Sequence, residues 1–171
     1  MAFIEMMIES FEVWLLLLTF PLSDIAIWWR MIPVYLNGLL AVIYSLPSNS
    51  GSVFAGVIAL WAGADWIRTY MTGSVYSTQL NWIIAIIFCV YGGAGLLVGI
   101  LRKQKFYWFF RRTILTFFAI SLYPIQMGYA PAESNLVLAI VIMAIPVIFV
   151  LEIFGFVFRR FILRTHTMPI N

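Results

Sequence analysis

The chain has 171 residues, 64% of them hydrophobic and only 10% charged, with a mean hydropathy of +1.02 and a formal net charge of +3. Water-soluble domains are about 45–50% apolar and about 25% charged, and a chain this short cannot hide the excess in one core, so lipid is the predicted solvent for most of its surface. The single cysteine, Cys89, excludes an internal disulfide and a CxxC motif, and the single histidine, His166, leaves no ligand set for zinc, iron or haem.

Residues 1–20 open without the basic cluster of a secretory leader. Glu5, Glu9 and Glu12 follow i, i+4, i+7 spacing and share one helical face, with Phe3, Ile4, Met7, Ile8, Phe11, Trp14 and Leu15 around the rest. This pattern predicts an amphipathic helix lying in the membrane interface, with a sixth crossing as the alternative.

Five apolar segments follow, near 24–46, 53–71, 79–101, 112–130 and 134–158. Each is close to the ~20 residues that a crossing helix needs. Arg30 and Pro33 interrupt the first, and Pro124 lies within the fourth. The breaker clusters LPSNSGS at 46–52 and YAPAES at 129–134 separate neighbours, and Ser134 is placed to cap the last helix.

Gly51, Ala55, Ala59 and Gly63 recur every four residues in the second segment. Ala85, Cys89 and Gly93 do the same in the third, before Gly95 and Gly99. Helices in lipid associate by close packing at small residues, so these two are predicted to meet through those faces. Asp65 follows Gly63 by two residues, a rotation of ~200°, and shares its face with Ile58, Trp61, Arg68 and Thr69. The second segment is therefore expected to be lined by protein or water on both sides.

Asp65 and Arg68 have the i, i+3 spacing of a helical ion pair. Glu152 is the other carboxylate within an apolar segment. It is expected to be neutral or paired with a base such as Arg112. In the competing expectation, Asp65, Arg68 and Glu152 mark an ion, proton or substrate path. Asn37, Gln79, Asn81 and Gln126 are further polar groups near the segments.

Arg102, Lys103, Lys105, Arg111 and Arg112 fill the connection between the third and fourth segments, and Arg159, Arg160 and Arg164 follow the fifth. If every segment crosses once, these eight share one side, against Arg30 and Arg68 on the other. The excess of Lys and Arg on cytoplasmic loops then predicts the N-terminus outside and the basic tail, 159–171, inside. The clusters read as orientation signals and as docking sites for lipid or an acidic cytosolic protein, not as a nucleic-acid surface.

No base stands near Cys89 or a serine in sequence, the carboxylates are scattered, and no phosphate loop is present. The expected architecture is an all-α, single-domain, polytopic integral membrane bundle in a bacterial-type cytoplasmic (inner) membrane. About five transmembrane helices follow an N-terminal amphipathic helix. The expected role is neither enzymatic nor cofactor-dependent. It is a subunit or scaffold that assembles in the lipid bilayer into a homo- or hetero-oligomer and docks a cytosolic partner through its basic loop and tail. A homo-oligomeric ion channel or small transporter, with Asp65 and Glu152 on its pathway, is the second expectation. A membrane-disrupting effector or immunity factor is the third.

Overall fold

The computed structural model describes residues 2–19, 32, 35–36, 48–158 and 160. These residues are all-α: α1 (Ala2–Thr19), α2 (Asn49–Met71), α3 (Gln79–Ile100), α4 (Arg112–Gln126) and α5 (Ser134–Phe158), with a 3₁₀ turn at Gln104–Phe106 between α3 and α4. The segment expected at 24–46, with Asn37, lies outside the described residues apart from residues 32, 35 and 36. So do Arg159, Arg164 and the rest of the basic tail beyond residue 160.

Three helices, α2, α3 and α5, are long and apolar enough to cross a membrane. α4 has 15 residues and rises ~22 Å, short of the ~30 Å of a hydrocarbon core. Its chain turns back early. Gly128 adopts φ +73°, and the N–H groups of Tyr129 and Ala130 both donate to the Pro124 carbonyl, at 2.9 and 3.1 Å. The helix expected to reach residue 130 therefore ends at Gln126.

α2 begins earlier than its sequence suggests. The Ser48 hydroxyl accepts the Gly51 N–H at 3.0 Å, so residues that read as a turn become the first turn of a capped helix. At the start of α5 the Val137 N–H donates to the Glu133 carbonyl at 3.2 Å. Glu133, not Ser134, thus holds the cap position.

α2 and α3 form the tightest pair in the molecule, an antiparallel hairpin with almost bare backbones in contact. Gly56 lies against Gly92 and Gly95, Gly63 against Ala85 and Cys89, and Gly99 against Asn49 and Val53. Gly51, Ala55, Ala59, Gly63 and Ala85 are all buried. Gly93 corrects the expectation: its α-carbon faces open space, with nothing within 4 Å of an added methyl group. The reason is helical phase. Steps of four residues turn ~40° too far each time, so the run that starts at Ala85 and Cys89, both against Gly63, has left the contact at Gly93. Ala85, Phe88, Gly92, Gly95 and Gly99, in steps of three and four, stay on it.

α4 packs across α2 and against α5, and α5 packs chiefly on α4 and α1. α1 packs on α5 and α4. The Trp14 indole N–H donates to the Ser121 hydroxyl at 2.8 Å, and its ring stacks on Phe117 at 5.8 Å. Ser121 is nine residues along α4 from Arg112, or ~14 Å, so α1 meets the bundle near the middle of α4. Ser10 and Leu17 are buried in that contact, flanked by Met7 and Trp14, while Glu5, Glu9 and Glu12 are exposed on the opposite face.

Candidate functional site

The connection from α3 to α4 and the C-terminal end of α5 lie at the same end of the bundle, which brings two predicted residues together. Arg111 precedes α4 in an extended conformation, φ −79° and ψ 146°, and its guanidinium meets the Glu152 carboxylate at 2.8 Å. The arginine side chain is 9% exposed and the glutamate 22%. Glu152 Oε1 has no hydrogen-bond partner among the described residues. The partner of Glu152 is thus Arg111 and not Arg112. Arg111 is the extended residue before α4 and Arg112 its first helical residue, and Arg112 lies on the α2 side, 4.1 Å above the Phe54 ring.

This placement also corrects the reading of Arg111 as a docking residue, since it is buried and engaged. Arg102, Lys103 and Lys105 remain exposed on the connection, and Arg160 is exposed beside the Phe156 ring at 6.0 Å.

At the opposite end, Arg68 Nη2 and Nε both donate to Asp65 Oδ1, at 2.7 and 3.1 Å. These side chains are 72% and 41% exposed, and Trp61 on the same flank is 74% exposed. Thr69 and Ile58, at the other edge of that face, pack inward. α2 is therefore covered on its small-residue side only. Its charged flank is open in the isolated chain.

A buried polar cluster near this end ties α2, α3 and α4 together. The Tyr70 hydroxyl donates to the Gln126 side-chain carbonyl. Asn81 Oδ1 accepts from the Thr78 N–H at 2.9 Å and the Thr78 hydroxyl at 2.8 Å, and its amide donates to the Ile125 carbonyl at 3.1 Å. Gln126 is fully buried, and its Nε2 has no partner among the described residues. Thr78-x-x-Asn81 resembles a capping box, a signal in the sequence that points to Asn81. Tyr70 has no such local signal, and Gln79 is exposed.

Asp65 and Glu152 thus stand at opposite ends of the bundle, each matched by an arginine. Cys89 faces Gly63 within the α2–α3 contact. Among the described residues no three His, Cys, Asp or Glu side chains come together as a metal site. No protein-family model matches the sequence, and comparison with curated proteins and with solved structures returns no match.

Proposed function

We propose that the chain is a non-catalytic membrane subunit that acts by assembling, with copies of itself or with other membrane proteins. The observation that carries this reading is the open flank of α2. Asp65 lies six residues before Met71, or ~9 Å inside the end of the helix. A charge at such a depth faces protein or water as a rule. Arg68 is long enough to reach the interface, whereas Asp65 is not, and a partner helix on this flank satisfies both. The pairing of each carboxylate with an arginine favours docking over conduction.

Native mass spectrometry after gentle extraction tests the proposal. The expected result is a defined oligomer or complex. Asp65→Asn with Arg68→Gln is expected to leave the fold of the isolated chain intact, because neither side chain is buried within it, while the assembled fraction falls severalfold. A chain that is monomeric at native expression, or assembly untouched by the double change, would sink the proposal. Altered conductance with assembly intact would move the assignment to a channel.

The membrane placement belongs to the same proposal: about five crossings, α2, α3 and α5 at full length, the shorter α4 of 15 residues together with the residues that follow it, and the 24–46 segment, with the N-terminus outside and the C-terminus inside. Its support is that the basic connection and the end of α5 share one end of the bundle. With Cys89→Ser as background, Tyr76→Cys is expected to react with an impermeant maleimide on intact cells and Lys105→Cys is not. The reverse pattern would invert the topology.

A further inference from the structure

α2 packs chiefly on α3 and α4 and leaves one flank bare. Val57, Trp61, Ala64 and Arg68 are all exposed there. They follow one another in steps of four, three and four residues, so they form one stripe along the helix. Asp65 borders the stripe. Both hydrogen bonds from Arg68 end on a single oxygen, Asp65 Oδ1, at 2.7 and 3.1 Å. Among the described residues Asp65 Oδ2 accepts no hydrogen bond and Arg68 Nη1 donates none. The pair within the chain therefore keeps a spare acceptor and a spare donor, on a flank that nothing in the chain covers.

We propose that the partner on this flank is a second copy of the same chain, docked α2 to α2 about a twofold axis along the membrane normal. This rests on the assembly reading above and names its partner. Charge selects the occupant. The flank carries one charge of each sign, ~4.5 Å apart in rise, so it is its own complement. A twofold axis makes every contact twice, residue i to j and j to i. Arg68 of each copy then donates from Nη1 to Asp65 Oδ2 of the other, and two ion pairs close into a neutral ring of four charges. A partner that offers charge of one sign satisfies only one member of the pair. The twofold axis also holds both Asp65 carboxylates at one depth, where each is shielded from lipid by the other copy. Ala64 stands on the stripe between Trp61 and Arg68, and helices in lipid approach closely at such small residues.

The test uses the full chain in membranes, with Cys89→Ser as background. Ala64→Cys is expected to give a disulfide-linked dimer on mild oxidation, and Ile87→Cys, exposed on α3, is expected to give none. A charge exchange then probes the ring. Asp65→Arg in one tagged chain and Arg68→Asp in another each place like charges on the flank, and each alone is expected to lose self-association severalfold. Expressed together, the two chains are complementary and are expected to co-purify through either tag. Absence of the Ala64→Cys dimer, or failure of the two charge variants to pair, would overturn the proposal. The two levels fail differently. A complex held by other proteins, with no Ala64→Cys dimer, overturns the second copy and leaves the assembly reading standing. A monomer at native expression overturns both.

Discussion

Gly92→Leu is expected to abolish assembly of the α2–α3 pair, while Gly93→Leu, one residue along, leaves it intact. A methyl group on Gly92 would sit 2.7 Å from the Gly56 carbonyl oxygen and 2.8 Å from the Leu60 α-carbon. Both are backbone atoms of α2, so no rotamer change relieves the clash, and the two helices must separate. Inserting extra volume into a packed core costs about 1–3 kcal/mol where side chains yield, and here none does. The loss is compounded because close backbone approach is what holds helices together in lipid.

Gly93 is the matched control. It lies on the same helix with nothing within 4 Å, and even Gly93→Ala is expected to stabilise, since glycine inside a helix costs roughly 0.5–1 kcal/mol relative to alanine. Thermal unfolding in a mild detergent, followed by tryptophan fluorescence and elution profile, checks the contrast. Equal tolerance at 92 and 93 would show that this contact does not hold the pair.

Glu152→Gln and Arg111→Gln are each expected to destabilise the bundle by about 3–5 kcal/mol, the usual cost of leaving one member of a buried ion pair behind. The effect is asymmetric in its cause. Without Glu152, a guanidinium only 9% exposed loses the carboxylate that meets it at 2.8 Å. Without Arg111, Glu152 loses the donor at 2.8 Å. Replacing both by apolar residues of similar size removes the two desolvation costs together and is expected to return most of the lost stability. The check is a double-mutant cycle on the unfolding midpoint. Additive effects of the single changes would mean that the two charges do not depend on each other. The same result bears on partner capture. A loss of partner after Arg111→Gln reports unfolding at this end of the bundle, so docking is better probed at Lys103 and Lys105.

Several features are legible in the chain because they depend on local pattern alone. The apolar excess predicts lipid as the solvent, and three helices are long and apolar enough to cross a membrane. The limits of α3 and α5 follow from uninterrupted apolar length between turn residues, and the structure has them at Gln79–Ile100 and Ser134–Phe158. The small-residue signal marks the correct pair of helices. The same pattern misses the start of α2, because a serine cap makes a helix of residues that otherwise break one.

Tertiary structure alone decided which face of each helix meets protein. In water, burial separates apolar from polar faces and the sequence records it as periodicity. In lipid, a neighbouring helix and the solvent are equally apolar, so Ile140, fully buried, and Ile145, 81% exposed, are the same residue type on one helix. Rotation then settles what composition leaves open. About 100° of helix separates Gly92 in the helix contact from Gly93 outside it, and the change from extended to helical backbone separates Arg111, buried against Glu152, from Arg112 on Phe54. The sequence by itself determined the helical class, and its five apolar segments include the three helices long and apolar enough to cross a membrane. Only the packing determined which charges are locked inside the bundle and which stand open on the flank of α2, because that choice rests on helical phase and backbone approach, and neither leaves a hydropathy pattern.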